Sequence, residues 1–137
     1  MNCSYISIST LFLLFPIIIF TYKTNPNNYE KNLLFLLLIN IFLSFLFWIN
    51  PTKNSLSHFY DGVFAKISYI LFSIYILFVK NIEYKIKLAF LTILVLSSIL
   101  FYCSNNTSKN NWCSKYHILF HIIFHFLISI GSSIAFI

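Results

Sequence analysis

Charged side chains are scarce in this sequence of 137 residues: only 9% are Asp, Glu, Lys or Arg, and arginine is absent. Hydrophobic residues make up 59% of the chain, and the mean hydropathy is +0.84. A soluble domain of this length needs far more charge to cover its surface. The scarcity of charge therefore argues against a water-soluble globular fold and leaves little length for any soluble module.

Acidic residues are the scarcest of the charged types, since Glu30, Asp61 and Glu83 stand against nine lysines. The formal net charge of +6 is compatible with nucleic acid binding. However, the lysines are spread over short polar turns between apolar runs and are not clustered on one face. Lysines in such turns contact anionic lipid head groups at the ends of membrane spans. We therefore expect membrane lipid as a partner and no nucleic acid.

Long apolar runs take the place of the missing charge. A run of about 20 apolar residues is long enough to cross a bilayer as a helix. The runs predict an all-α fold, a polytopic transmembrane helix bundle formed by a single integral membrane domain, residues 1–137. The predicted spans are about five, at residues 5–22, 33–49, 57–79, 88–103 and 115–137. The chain is thus expected in a membrane, which the sequence does not identify.

The few cysteines, Cys3, Cys103 and Cys113, lack the short spacing of a metal site. Cys103 and Cys113 flank the most polar stretch of the chain and could form a disulfide if that stretch faces an oxidising compartment. The turns after the first and third predicted spans carry five lysines, against three on the opposite side. This asymmetry favours an outside N-terminus, but the margin is too small to fix the orientation.

Ionisable residues inside the apolar runs need an explanation, because a charge at the bilayer centre costs about 2.5–3.5 kcal/mol on insertion scales. His117, His121 and His125 are four residues apart and form one stripe along the fifth span. Such a stripe is costly in lipid, so we expect it to face the bundle interior. Imidazoles at i and i+4 can bind one metal ion. Alternatively, the histidines hydrogen-bond to neighbouring helices.

Polar residues also interrupt the second and third predicted spans. Asn40, Ser44 and Trp48 repeat the four-residue spacing, which is typical of helix–helix hydrogen bonds with a tryptophan at the membrane interface. Asp61 lies one turn inside the third span and shares a face with His58, within reach of it. The alternative is an interfacial helix start with Asp61 in the first turn.

The alternating direction of the spans links these positions. The end of the second span and the starts of the third and fifth spans lie on the same side of the membrane. We therefore expect one layer near that surface to contain Ser44, Trp48, His58, Asp61, His117 and His121. Lys66 is about 140° around the helix from Asp61, too far to pair with it, and its side chain is expected to snorkel to the surface.

These residues resemble the motifs of a superfamily of membrane hydrolases. It contains the alkaline ceramidases, the progestin and adipoQ receptors and the hemolysin III-like proteins. Its members carry Ser-x-x-x-His near the end of one helix, Asp at the start of the next and His-x-x-x-His on the final helix. Ser44 and Trp48 stand at the first motif, Asp61 at the acid, and His117 and His121 at the pair.

The resemblance implies three zinc-binding histidines, with Ser and Asp supporting a zinc-bound water that attacks a lipid amide. This chain departs from the pattern twice. Trp48 stands where the first zinc-binding His is expected, and the chain offers about five helices instead of seven. His58 or His125 is the candidate replacement for the missing ligand.

Three functions follow from the sequence, and the first is a minimal or degenerate zinc-dependent lipid amide hydrolase. In it His117, His121 and either His58 or His125 hold zinc (Zn), Asp61 orients or deprotonates the water, and Ser44 donates to the oxyanion. The second is a non-catalytic scaffold or interaction protein whose histidine stripe packs helices. The third is a proton or metal-ion conductor, which requires a homo-oligomer because five helices are few for a transporter.

Overall fold

The computed structural model describes residues 3–137, so residues 1 and 2 of the predicted domain lie outside it. Within that range every regular element is helical, which confirms the all-α prediction. The elements are α1 (Tyr5–Ser9), a 3₁₀ turn (Thr10–Leu13), α2 (Leu14–Thr21), α3 (Asn28–Ile49), α4 (Leu56–Ile74) with a π-helical turn (Tyr75–Val79), α5 (Tyr84–Asn110) and α6 (Lys115–Ser133).

Four of these helices are long and apolar enough to cross a membrane: α3, α4 with its π-helical turn, α5 and α6. They correspond to four of the five predicted spans. The N-terminal segment Tyr5–Thr21 is apolar but shorter, and its crossing stays a prediction. Large apolar side chains cover the outside of the bundle, such as Phe35 at 66% and Phe78 at 81% exposure. Lipid-facing helices require such a surface, and soluble proteins avoid it.

Two helices are longer than the predicted spans. α3 begins five residues before residue 33 because the Asn27 side chain accepts the Glu30 N–H and the Glu30 carboxylate accepts the Asn27 N–H, a capping box. α5 continues seven residues past residue 103, through residues predicted as a polar loop. Its polar side chains are satisfied locally, since the Thr107 and Ser108 hydroxyls donate to carbonyls of the preceding turn.

The helices pack as two antiparallel hairpins, α3 with α4 and α5 with α6, and the N-terminal segment packs against α3 and α6. α5 and α6 approach closely at Gly131, where an added Cβ would lie 3.3 Å from the nearest side-chain atom. Asn40 of α3 donates to Ser68 of α4, the kind of helix–helix hydrogen bond that the polar stripe predicted. Among the described residues, α4 and α5 make few direct contacts, although Tyr69 Oη donates to the Leu94 carbonyl at 2.7 Å.

One end of the bundle, which we call the ion-pair face, consists of residues 22–27, 80–83 and 134–137. The Glu30 carboxylate is buried there and pairs with Lys23 Nζ at 3.0 Å and Lys80 Nζ at 3.1 Å. Lys80 also donates to the carbonyls of Ala135 and Ile137, each at 2.8 Å. Burial lowers the pKa of the Lys80 ammonium, and Glu30 opposes that shift. The cluster fastens the segment after α6 to the start of α3.

The opposite end, which we call the disulfide face, consists of Cys3, residues 50–55 and residues 111–114. A disulfide joins Cys3 to Cys113, with the two Cα atoms 5.2 Å apart, and Cys103 is a free thiol. The Cys103–Cys113 pairing that the sequence left open is therefore not the one formed. Cys103 lies inside α5, about two turns before its end, whereas the N-terminus reaches the loop after that helix. Lys53 Nζ adds a second tie by donating to the Ser108 carbonyl at 3.2 Å.

This pairing predicts the outcome of counting thiols in the purified protein. Denaturation without reductant leaves only Cys103 reactive, because the other two cysteines form the disulfide. We expect one maleimide-polyethylene glycol adduct per chain before reduction and three after it, on a denaturing gel. Cys103→Ser removes the single adduct, whereas Cys3→Ser raises the unreduced count to two. A Cys3→Ser variant with no reactive thiol would contradict the pairing.

Candidate functional site

Two histidines are fixed by the same local structure at the starts of α4 and α6. Ser55 caps α4 by accepting the His58 N–H, and Ser114 caps α6 by accepting the His117 N–H, both at 3.2 Å. Serine is a preferred N-cap residue because its hydroxyl satisfies one free N–H of the first turn. The two motifs place His58 and His117 at equivalent positions, both at the disulfide face.

Each of these histidines also completes the cap with its ring. The backbone N–H of Asn54 donates to His58 Nδ1 at 3.3 Å, and that of Cys113 donates to His117 Nδ1 at 3.2 Å. Asn54 and Cys113 both have positive φ, 62° and 60°, so the chain turns alike before both helices. In a neutral imidazole whose Nδ1 accepts, the proton lies on Nε2. Each ring therefore offers Nε2–H as a donor.

The other two histidines of the stripe on α6, His121 and His125, contact side chains of other helices. Ser9 of α1 contacts His125 Nδ1 at 2.7 Å. Because the Ser9 hydroxyl already donates to the Ile6 carbonyl, His125 Nδ1–H is the donor in this bond, and its lone pair lies on Nε2. Ser104 of α5 contacts His121 Nδ1 at 3.0 Å. The stripe thus faces the bundle interior, as the sequence predicted, and hydrogen-bonds to neighbouring helices.

A cavity of about 580 Å³ lies between the two hairpins. All six candidate site residues predicted from the sequence line it: Ser44, His58, Asp61, His117, His121 and His125. Exposed side chains of α4 and α5 line it as well, among them Phe59, Lys66 and Asn105. Since α4 and α5 make few direct contacts among the described residues, the cavity reaches the outer surface of the bundle between these helices.

Asp61 of α4 and Ser44 of α3 face each other in this cavity, with the Ser44 hydroxyl near the Asp61 carboxylate. The predicted proximity of Asp61 to His58 does not extend to a hydrogen bond, because the His58 ring stacks on Phe47, with centroids 4.9 Å apart, and accepts from the backbone instead. A carboxylate has about four lone-pair sites that can accept from ligand donors. Asp61 is therefore the main acceptor of this wall.

Trp48 lies at the end of α3, as the sequence predicted, but its side chain is turned into the bundle. Its side chain is only 2% exposed and lies against His121, with ring centroids 4.8 Å apart. The Trp48 ring also stacks on Trp112 of the loop before α6 at 6.0 Å. Its Nε1–H is buried without a hydrogen-bond partner among the described residues. A buried donor without a partner destabilises the folded state by about 1–3 kcal/mol. The cavity wall at Trp48 therefore carries a cost that a fully hydrogen-bonded wall would not.

The cavity is amphipathic along its length. Near the disulfide face its lining is polar, with Asp61, Ser104, Ser108 and the rings of His58 and His117. Deeper in the bundle most of its lining is apolar, with Leu13, Leu37, Phe72, Phe90, Ile93 and Ile128. Gly62, next to Asp61, has no atom within 4 Å of the position of a Cβ, which leaves open space beside the carboxylate.

A three-ligand zinc site does not fit the residues as they stand. The described residues 3–137 contain no group of three or more His, Cys, Asp or Glu side chains close enough to hold a metal ion. A zinc-bound neutral histidine uses one nitrogen for the metal and donates from the other. His117 and His58 accept at Nδ1 instead, which leaves neither ring a free lone pair. We therefore derive no chemical step through zinc.

Comparisons with known protein families, with curated proteins and with solved structures find no match to this chain.

The hydrogen bonds of the histidine rings predict their tautomers. We expect His58 and His117 to be protonated at Nε2 and His125 at Nδ1, because of the bonds that each Nδ1 makes. Nitrogen-15 NMR of histidine-labelled protein distinguishes the two tautomers, and single His→Gln variants assign the signals. Ser9→Ala is expected to shift the His125 signal and leave that of His117 unchanged. A His117 ring protonated at Nδ1 would contradict the cap described above.

Proposed function

We propose that this protein binds a membrane lipid in the cavity between its two hairpins. The head group lies beside Ser44 and Asp61, and the acyl chains occupy the deeper part and leave between α4 and α5. The single observation that carries this proposal is the amphipathic lining of the 580 Å³ cavity. Its polar groups lie toward the membrane surface at the disulfide face, and its apolar lining lies at and beyond the middle of the helices, which is the order of head group and acyl chains in a lipid whose head points to that face.

The polar groups of the cavity wall determine which hydrogen-bonding groups a bound lipid head must carry. Asp61, with Ser44 beside it, accepts from a hydroxyl or ammonium group of the lipid. The Nε2–H donors of His58 and His117 suit a carbonyl or phosphate oxygen. Desolvated polar groups of this kind discriminate strongly against a ligand that leaves them unpaired. We therefore infer that the ligand has both a donor and an acceptor in its head.

The orientation that we propose puts the disulfide face on the oxidising, non-cytosolic side. Disulfides persist in oxidising compartments, and Cys3–Cys113 belongs to that face. The five lysines of the turns next to the ion-pair face, against three on the other side, agree with the positive-inside rule. The two signals are independent of each other. In this orientation the lipid enters from the outer leaflet.

Photocrosslinking in vesicles tests lipid binding. A diacyl lipid with a photoreactive acyl chain is expected to label cavity-lining residues of α4 and α5 in the full-length protein. Asp61→Asn keeps the shape of the carboxylate but removes its charge, and should lower this labelling about tenfold, the effect of losing a hydrogen bond to a charged group. Gly62→Leu fills the open space beside Asp61 and should also block labelling.

The controls separate the cavity from the outer surface. Glu83→Gln removes an exposed carboxylate outside the cavity, and should leave the labelling unchanged. Thermal unfolding in detergent verifies that each variant folds. Labelling confined to outward-facing residues such as Phe35 and Phe78, and equal in all variants, would refute the proposal.

A zinc-dependent lipid amide hydrolase is the second candidate, and the closeness of the histidine rings favours it. The His121 ring lies 4.7 Å from that of His125 and 6.0 Å from that of His117, measured between centroids. Zinc binding by His117 requires the loss of its bond from the Cys113 N–H. Product release from lipid amides in vesicles measures the activity.

Metal analysis decides whether zinc binds. We expect Trp48→His to raise the zinc content of the purified protein, because it supplies a third imidazole beside His121 at the position of the missing ligand. Phe35→His, on the outer surface of α3 and outside the cavity lining, is the control. If the wild type already holds one zinc per chain and loses it in a His117→Ala and His121→Ala double variant, the zinc hypothesis holds. A zinc-free Trp48→His variant would remove it.

The scaffold and conductor hypotheses also stay predictions. A scaffold is the remaining alternative if neither lipid nor zinc binds. Flux through proteoliposomes that changes between pH 5 and 8 is the signature of the oligomeric conductor.

A further inference from the structure

Lys66 is a lysine within a membrane span that has no ion pair or hydrogen bond in the part of the chain that the structure describes. It lies ten residues after the start of α4, about 15 Å along the helix. That is about half of a 30 Å hydrocarbon core. Its side chain is exposed and lines the cavity between the hairpins. A lone cation at this depth is costly unless an anion pairs with it.

The other lysines near cavities or buried groups are already engaged. Lys23 and Lys80 pair with Glu30, and Lys53 and Lys87 donate to backbone carbonyls. Lys66 therefore differs from them in having no protein acceptor among residues 3–137. It is also the one lysine of the main cavity lining.

Asp61 and Lys66 give the cavity two opposite charges at different depths. They are five residues apart on α4, so Lys66 lies about 7.5 Å deeper than Asp61 and about 140° around the helix. The two side chains are too far around the helix to neutralise each other, and no ion pair joins them among the described residues. Entering from the disulfide face, a ligand meets the negative charge first and the positive charge second. The apolar part of the cavity follows.

We propose that the lipid of this cavity is a zwitterionic aminophospholipid, with its primary ammonium on Asp61 and Ser44 and its phosphate on Lys66. In such a lipid the ammonium lies outermost, the phosphate next and the acyl chains deepest. This order matches the order of Asp61, Lys66 and the apolar lining from the disulfide face inward. A carboxylate and an ammonium make strong charge-assisted hydrogen bonds with these partners. The proposal rests on the proposed lipid binding and specifies its ligand.

Native mass spectrometry of the full-length protein tests this inference with lipids of identical acyl chains. Phosphatidylethanolamine should be retained about tenfold better than phosphatidylcholine, whose ammonium has no N–H, and better than diacylglycerol, which lacks the phosphate. Lys66→Met should abolish the preference for phosphatidylethanolamine over diacylglycerol. Asp61→Asn should abolish the preference over phosphatidylcholine. Lys85→Met, an exposed lysine at the start of α5 and outside the cavity lining, is the control and should change neither ratio.

The outcomes separate the two proposals. Equal retention of all three lipids would overturn the head-group assignment, while lipid binding in the cavity would stand. An unchanged ratio in Lys66→Met would mean that Lys66 only reaches the membrane surface, and would also overturn the assignment. Retention of none of the lipids, together with no photolabelling of the cavity, would overturn both.

Discussion

The hydrocarbon core of a bilayer offers no hydrogen-bond partner, so each polar side chain on a spanning helix must find one inside the protein. This constraint directs the polar stripes of α3 and α6 inward. It joins Asn40 to Ser68 and His121 to Ser104, and it brings Ser44 beside Asp61. The same bonds that hold the hairpins together therefore also line the cavity. Structure and candidate site share one set of residues.

The spacing of polar residues in apolar runs was enough to predict much of the architecture. The four-residue period of His117, His121 and His125 predicted an inward stripe, and alternating spans predicted that Ser44 and Asp61 share its layer. The cavity lining agrees with both predictions. These signals are local or follow from chain direction, and they need no knowledge of how helices pack.

Other features depend on tertiary geometry that no periodicity encodes. The disulfide joins residues separated by 110 positions. The burial of Trp48 requires Trp112 and α6 to cover it. The ring caps of His58 and His117 do have a local sequence signal, because Ser-x-x-His recurs at both helix starts, after Asn54 and Cys113. Helix capping competes with metal binding for Nδ1 of each ring. In this structure Nδ1 accepts the hydrogen bond of the cap.

Both tryptophans of the chain, Trp48 and Trp112, line the cavity, and their rings stack 6.0 Å apart. Indole emission depends on the polarity around the ring, and both indoles of the protein line the same cavity. The intrinsic fluorescence of the unmodified chain is consequently a direct optical readout of what that cavity contains. The indole N–H of Trp48 has no hydrogen-bond partner among the described residues. Its emission wavelength is therefore sensitive to the arrival of a nearby acceptor.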